Sequence, residues 1–438
     1  MDLKVAKFGG TSMATATSIN QVADIVKSDA GRNYVIVSAP GKRSKNDIKV
    51  TDLLYSCFYD LEIKGECKEN FAKIRDRFTG IVEELGLKFD INPYLDKVEE
   101  EMIKFHSSEY CASRGEYLSA VVMAQKLGYE FVDAKDIMVF SQEGVFMPEE
   151  TNKKVAEKLS VIKKAVIPGF YGADELGVIH TFSRGGSDVS GAVVARAVNA
   201  KLYENWTDVN GFMVTDPRIV ENPQQISMLS YKELRELSYM GANVLHPDSI
   251  FPVRVSNIPI NIKNTFEPSN AGTMIVSTMP KEIIDKRAVT GIAGKKGYSI
   301  IFIAKAMMNN EIAFVRKVLS ALEYYNVSVE HIPSGIDTMS VVVADSEIAG
   351  KEDAIIEKIR AAVNPDAIEL KRGIALIATV GHGMAFKPGC SAKLCTALAN
   401  AKINIRMLDQ GASELNIIVG VSDSDYENAV KAIYHAFY

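Results

Sequence analysis

Residues 6–12 read AKFGGTS, directly after the apolar-alternating start MDLKV. A strand bound for a core ends here on a lysine, and two glycines follow where the turn should begin. Two readings fit. Lys7 reaches water past a tight turn, or Gly9 and Gly10 let backbone N–H groups come close to an anion whose charge Lys7 neutralises. The loop lacks the GxxxxGK[ST] pattern, so it is not a Walker A loop.

Outward from this loop the chain alternates short apolar runs with helical stretches. After the strand Leu3–Phe8 comes a helix with Ile19, Val22, Ala23 and Val26 on one face, and Ser18 and Gln21 have the spacing of a capping box at its start. YVIVSA (Tyr34–Ala39) is a continuous apolar run stopped by Pro40-Gly41, which suits a parallel strand buried on both faces. Residues 52–127 form a charged, all-helical excursion. Further strands are expected at Ala165–Phe170, Val178–Phe182, Lys201–Trp206 and Ile258–Lys263, with the helix GAVVARAVNA between the middle two. Strand, helix, strand in this rhythm argues for a parallel sheet covered by helices.

The polar stretch Thr278–Arg287 marks a boundary, and smaller units follow. YSIIFIAKAM, EIAFVRKVLSALEYYN, SVEHIPSG, TMSVVVAD and EDAIIEKIRAAV read as β-α-β-β-α, and from Ile374 the pattern recurs through IALIATVG to YENAVKAIYHAF. Small ferredoxin-like units of this kind are short of core and pair edge to edge. A chain of 438 residues is expected to hold two or three domains, and the fold class is α/β with a mostly parallel sheet followed by two ferredoxin-like units.

Composition closes several doors. A formal net charge of −5 argues against a general nucleic-acid binder, because neutralising phosphates needs a basic surface. The five cysteines (Cys57, Cys67, Cys111, Cys390 and Cys395) are odd in number, scattered and without CxxC spacing, so neither a disulfide framework nor a zinc site is expected. Cys390 and Cys395 are read as two half-buried thiols on a small helix. MDLKVAKFGG shows no basic stretch followed by an apolar core, and no apolar run approaches the roughly 20 residues of a membrane span. The expectation is a reduced, soluble, cytoplasmic protein with no membrane partner.

Four polar loops follow expected strands, and in open parallel sheets ligands bind outside the carboxyl ends of the strands. KFGGTS is the first. SRGGSD (183–188) is the second: Arg184 can clamp a carboxylate, and Asp188 can hold an ammonium or orient a lysine. Capping of the next helix by Ser187 or Asp188 explains one residue but leaves RGG unaccounted for. The third is WTDV (206–209) with TDPR (215–218), suited to nucleotide contacts, with an Asp-Pro turn the equal alternative for Asp216. The fourth, SRGE (113–116), stands at the start of the helix YLSAVVMAQKL, where Glu116 is expected in the first turn and reads as structural by itself. His106, His180, His246, His331, His382 and His435 are dispersed, no Ser-His-Asp or Cys-His set stands out, and no metal-ligand cluster is visible. Lysine, arginine and glycine loops without a nucleophile are the equipment of phosphoryl transfer by positioning and charge neutralisation. ATP would bring Mg²⁺, which needs few protein ligands.

Taken together, KFGGTS, SRGE, SRGGSD, WTDV with TDPR, and GANVLHP resemble the aspartate kinases of the amino-acid kinase family, over essentially the whole chain and with a C-terminal pair of ACT domains. Because the sequence stops after the second ACT unit, it resembles the monofunctional members. The resemblance implies a three-layer amino-acid kinase domain over 1–280, a first ACT domain over 298–372, and a second built from 288–297 plus 373–438. It implies transfer of the ATP γ-phosphoryl to the β-carboxylate of L-aspartate. Lys7 and Asp188 would be catalytic, with Gly9 and Gly10 cradling the phosphoryl group. Ser38, Thr51, Glu116, Phe170, Arg184 and Ser187 would bind aspartate, and Thr207, Asp208, Met213, Asp216, Arg218 and Lys263 the nucleotide. The ACT pair implies feedback inhibition by lysine and/or threonine through Met308, Asn310, Ile312, Ser334, Asp337 and Thr338, in a homodimer or homotetramer formed through these domains.

Some positions depart from the family pattern. Met213 stands where relatives often have a tyrosine, Asn243 where a lysine is usual, and Glu311 where a glycine is frequent. The basic segment Gly41–Val50 is long, and reads as a solvated loop or as a guide for ATP. Two other readings remain: a glutamate or uridylate kinase of the same fold, against which SRGE with Arg184 and the paired ACT units speak, and a non-catalytic ACT sensor, against which Lys7, Arg184 and Asp188 together speak.

Overall fold

The structure, a computed structural model, describes residues 2–183, 185–242, 245 and 250–438. In chain order it begins with β1 (Lys4–Phe8), α1 (Ala16–Lys27) and β2 (Arg32–Val37). The helical excursion follows as α2 (Val50–Lys64), α3 (Lys68–Glu84), α4 (Asn92–Phe105) and α5 (Ser108–Leu127), close to the expected span. Next come β3 (Glu130–Phe131), α6 (Pro148–Ser160), β4 (Ala165–Pro168), β5 (Tyr171–Ala173), β6 (Ile179–Thr181), α7 (Gly186–Ala197) and β7 (Leu202–Thr207). β8 (Met228–Ser230), α8 (Tyr231–Tyr239), α9 (Phe251–Val255), β9 (Ile260–Asn264) and β10 (Thr273–Val276) close this part.

One eight-stranded sheet runs β3-β4-β2-β1-β7-β9-β10-β8, and every pairing is parallel except β9 with β10. Val5, Ala6, Val35, Ile36, Val37, Val166 and Ile167 have no exposed surface, as expected for strands covered on both faces. Parallel pairing puts all strand ends of one polarity on one edge. In register, Lys7 lies beside Ile36 on one side and Asn205 on the other.

Two local expectations are corrected. The capping box of α1 is Thr15 with Ser18, not Ser18 with Gln21: the Ser18 N–H donates to Thr15 Oγ1 (3.1 Å) and the Thr15 N–H to Ser18 Oγ (3.0 Å). Thr15 has the extended backbone of a helix N-cap (φ −141°), whereas Ser18 already lies inside the first turn. The strand at Val178–Phe182 is not in the main sheet either. It forms a separate antiparallel hairpin, β5 with β6. Only Asp174–Val178 separate the two strands, too few residues for the crossover a parallel pairing requires.

The chain divides into two compact units. The first runs to Phe212 and takes up Ser227–Tyr231 and the stretch ending at Met279; the second holds Met213–Ile226, the stretch beginning at Lys232, and Pro280–Tyr438. In the second unit α10 (Lys281–Lys286) leads into β11 (Gly291–Ala304), α11 (Phe314–Glu323), β12 (Thr338–Ala344), α12 (Asp345–Ile348), α13 (Glu352–Val363) and β13 (Ala367–Val380). α14 (Cys390–Asn400), β14 (Met407–Asp409), β15 (Asn416–Ser422) and α15 (Tyr426–Phe437) complete it, with Cys390 and Cys395 half-buried on α14 as expected. The five-stranded antiparallel sheet has the order β12-β11-β13-β15-β14. Residues 291–295 pair with 376–380, while 298–304 pair with 338–344 and 367–374. Ile301, Ile303, Phe314, Val318, Val341, Ile355 and Ile359 form the core beneath α11 and α13. Two upstream stretches pack here: Val214 accepts from the Ile292 N–H, and buried Glu233 accepts from the Thr290 hydroxyl (2.7 Å) and the His382 N–H (3.1 Å).

α7 lies against the sheet at Gly191. A Cβ there would stand 2.5 Å from Tyr203 Oη and 2.7 Å from its ring, and Tyr203 is fully buried with its hydroxyl donating to the Asp188 carbonyl. Gly191→Ala is therefore expected to lower stability by about 1–3 kcal/mol in urea unfolding, as overpacking does. An unchanged midpoint would contradict this packing.

Candidate functional site

Lys7 leaves the carboxyl end of β1 with only 9% of its side chain exposed. Its ammonium lies 2.5 Å from Asp188 Oδ1 in the first turn of α7, and Asn205 Nδ2 donates to the same oxygen (2.8 Å). Asp188 is thus held from two neighbouring strands, and its backbone carbonyl by Tyr203 from a third position. A buried cation and carboxylate are each costly to desolvate, and their hydrogen bonds and mutual attraction compensate.

Around this pair the strand-end loops touch one another. The Gly9 N–H donates to the Trp206 carbonyl (3.0 Å), the Ser38 N–H to the Phe8 carbonyl (3.1 Å), and the Gly41 N–H to the Gly10 carbonyl (2.8 Å). A Cβ on Gly10 would stand 2.9 Å from the Ala39 carbonyl oxygen, and one on Gly41 2.8 Å from the Gly10 carbonyl carbon. The two loops therefore meet backbone on backbone, which is why both positions are glycine. Thr11 Oγ1 donates to Asp208 Oδ2 (3.0 Å), and Thr207 Oγ1 to Asp208 Oδ1 (3.3 Å). KFGGTS, the loop after β2, the start of α7 and WTD therefore converge on one edge of the sheet.

SRGE is placed differently from expectation. Glu116 is not in a first turn: α5 begins at Ser108, so Glu116 lies near its middle. The helix starts there because Ser107 is its N-cap, accepting from the Tyr110 N–H (3.3 Å). Gly115 faces Ala39, where an added Cβ would stand 2.6 Å from the Ala39 Cβ. That close approach brings Glu116 beside the loop after β2. Glu116 is 6% exposed, and its Oε2 has no hydrogen-bond partner. Burial pushes its carboxyl up to about 8, against the opposing pull of the Ala39 N–H, its own N–H, Arg114 and Lys7. Arg114 turns away among the rings of Tyr110, Tyr117 and Tyr171, at 4.4, 4.9 and 4.9 Å.

Phe170 follows β4 with φ 79°, a strained backbone for a bulky residue, and it is held by Ser190 Oγ accepting from its N–H (3.0 Å). Ser187 is buried in the first turn of α7, and Thr51 is half-buried in the first turn of α2. Arg184 and Asn243 lie outside the described residues. Lys263 ends β9 with its ammonium on the Asn270 carbonyl (2.8 Å) and over the Trp206 ring (5.2 Å), and burial lowers its pKa. Met213, Asp216 and Arg218 belong to the second unit, where Asp216 and Arg218 bind each other at 2.6 Å. The same unit holds the expected regulatory residues. Asp337 accepts the Met307 N–H on its carboxylate (2.9 Å) and the Lys305 N–H on its carbonyl (2.9 Å), which joins the loop before α11 to the hairpin before β12. Met308 is buried, Ile312 fully open, and Glu311 binds both Lys305 (2.5 Å) and Lys317 (2.6 Å). Ser334 bridges to Met339, and Thr338 accepts the Gly335 N–H; Asn310 closes the short 3₁₀ turn Met308–Asn310. An open cavity of about 800 Å³ in this unit, lined by Val329, Glu330, His331 and Asp409 among others, contains none of them.

Two positions that hold the candidate site together escaped the sequence reading. Asn205, which orients Asp188, was signalled by the polar pair Glu204-Asn205 inside an otherwise apolar buried strand. Arg77 is one of many charges on an amphipathic helix, and only its 7% exposure distinguishes it. Among the described residues no group of three or more His, Cys, Asp or Glu could hold a metal, and no helix is long and apolar enough to cross a membrane.

The raised carboxyl of Glu116 gives a pH prediction. The fold favours its protonated form, so that contribution is complete below the usual 4.5 and is lost as pH rises through about 8. Glu116→Gln, neutral at every pH, should gain stability over the wild type across this window, by at most about 1.4 kcal/mol per pH unit. A wild-type-minus-variant difference that stays constant from pH 5 to pH 8 in denaturant titrations, within about 0.5 kcal/mol, would refute the buried neutral carboxyl.

The sequence profile of the amino acid kinase family matches residues 2–264, and an ACT domain profile matches residues 377–437. Aspartokinase 3 of Bacillus subtilis is 36% identical over 457 residues, covering 100% of this chain and 99% of its own. The aspartate kinase of Clostridium acetobutylicum, described as an allosteric enzyme, is 51% identical with a TM-score of 0.90 and full coverage of both chains. Escherichia coli aspartokinase III has been solved with aspartate and ADP (25% identity, TM-score 0.74, 99% of each chain) and with lysine and aspartate (25%, 0.75, 100% of each chain). The chain belongs to the amino acid kinase family, among its aspartokinases.

Proposed function

We propose that the protein is an ATP-dependent aspartate kinase, moving the γ-phosphoryl group of ATP to the β-carboxylate of L-aspartate to give 4-phospho-L-aspartate. The observation that carries this reading is the buried Lys7–Asp188 pair at the meeting point of the glycine loops, in a chain similar over its whole length to aspartokinases. A dicarboxylic substrate and a triphosphate both need cations, and the single substrate ammonium needs a carboxylate. In this reading Lys7 neutralises charge on the transferring phosphoryl, Gly9 and Gly10 let it approach, and Asp188 keeps the Lys7 ammonium aimed. Arg184 clamps the substrate α-carboxylate, and Ser38, Thr51, Glu116, Phe170 and Ser187 complete the pocket. Glu116 meets the substrate ammonium, which offers its unpartnered Oε2 a donor. Thr207, Asp208 and Lys263 of the first unit hold the nucleotide. Mg²⁺, held mainly by the ATP phosphates, would offset their charge, and Asp208 is the carboxylate beside the glycine loop that would hold it, in keeping with the few protein ligands Mg²⁺ needs.

Regulation belongs to the second unit. The proposed division is one ACT domain over 298–372 and another built from 288–297 with 373–438. The proposed effector is lysine, with threonine the second candidate, acting through Met308, Asn310, Ile312, Ser334, Asp337 and Thr338. Escherichia coli aspartokinase III, solved with lysine, supports that choice. The Glu311 bridges to Lys305 and Lys317 fill the loop where relatives often have glycine, so the effector must fit beside an existing ion-pair network. A homodimer or homotetramer joined through the ACT domains, in the cytoplasm, completes the proposal.

An ADP-release assay with L-aspartate, L-glutamate and UMP as acceptors tests the reaction, and turnover is expected with aspartate alone. No turnover with aspartate would sink it. Lys7→Met should lower kcat by on the order of 10²–10³ or more while nucleotide affinity stays within about tenfold, the scale of lost charge stabilisation in a transition state. Titrating lysine and threonine in the same assay should give inhibition by lysine, and inhibition by threonine alone would reassign the effector.

A further inference from the structure

The segment Gly41–Val50 is rich in cations, yet its most connected side chain is an acid. Asp47 accepts from the Arg43 N–H (2.8 Å) and from the Arg43 guanidinium (2.9 and 3.0 Å). Its other partner is Arg77 of α3, whose Nη1 reaches Asp47 Oδ2 at 2.8 Å. The remaining end of the Arg77 fork grips two backbone carbonyls: Nη2 donates to Gly41 (2.7 Å) and to Ala14 (3.0 Å). Ala14 closes the turn that follows Gly9-Gly10, and Gly41 is the residue whose N–H donates to the Gly10 carbonyl. One buried guanidinium therefore ties both glycine loops and the basic segment to the helical excursion. Three acceptors in different directions suit a planar fork with several donors; an ammonium in the same place would serve them poorly. Bonds to charged groups are the stronger class, and leaving buried carbonyls unpaired is costly.

We infer that Arg77 is a positioning residue for phosphoryl transfer: it fixes the Gly9-Gly10 loop against Gly41, and so fixes the backbone that the phosphoryl group approaches beside Lys7. Arg77 touches neither Lys7 nor Asp188, so it acts through the loops it holds. The inference rests on the reading of KFGGTS as the phosphate loop. Displacements of about 1 Å can cost on the order of 10²-fold in rate, which is the effect expected here.

The test uses the full chain with Arg77→Lys and Arg77→Ala. Both should lower kcat by about 10- to 100-fold while KM for aspartate changes by less than about threefold. Methylguanidinium added to Arg77→Ala should restore part of the lost rate. Hydrogen exchange at residues 8–14 and 39–49, which needs no turnover, should quicken in both variants. Wild-type kinetics with unaltered exchange, even with a lowered Tm, would show a merely structural residue and overturn the inference. Should both variants fail to fold, Asp47→Asn keeps the carbonyl contacts and weakens the second anchor of the fork. A severalfold loss of kcat there supports the inference, and none overturns it. If the wild type itself does not use aspartate, the functional reading fails, while the exchange result still decides whether Arg77 holds the loops.

Discussion

The constraint on which the first unit depends is one ion pair at the end of a buried strand. The cost of taking Lys7 and Asp188 out of water is offset by partners that the fold holds in place. Parallel register sets Asn205 beside Lys7, a helix first turn supplies Asp188, and Tyr203 secures the Asp188 backbone. Glycine at positions 10, 41 and 191 removes the side chains that would hold these parts apart. The order of strands, the helix that crosses between them and the choice of small residues all answer to the same requirement.

The charges around the site are sorted by task. Arg114 is absorbed by three tyrosine rings, and Arg77 by carbonyls and Asp47. Lys263 is occupied by Asn270 and Trp206. Lys7 is the cation paired to a carboxylate that itself faces the strand-end loops. Glu116 stands opposite in character: an acid that the fold prefers neutral.

Much of this was legible in the sequence. The continuous apolar runs gave the sheet, because strands of a parallel sheet buried on both faces read as unbroken apolar stretches, and the loops after them marked the edge where they converge. Lys7 and Asp208 drew attention as charges at strand ends, and Asp188 as an acid in a glycine loop that opens a helix. Glu116 was placed in the wrong turn, since the cap that starts α5 lies at Ser107, ahead of a stretch with weak amphipathic signal. Asn205 and Arg77 were missed for a different reason: the polar pair Glu204-Asn205 marks its strand without naming a partner, and the partners of the two residues lie 17 and 30–63 residues away, which periodicity does not report. The hairpin β5–β6 was misassigned because a short apolar run carries no mark of its partner.

The two longest strands, β11 and β13, each run for 14 residues through the whole width of the C-terminal sheet. The upper half of each pairs with one set of neighbours and the lower half with another. Two repeats joined in this way share their backbone rather than merely a boundary. Neither half can be cut out with its sheet complete, so a gene fragment encoding a single repeat would leave a bare edge open to foreign strands. The two halves of this sheet therefore hold each other's strands, and losing the pairing in one exposes the backbone of the other.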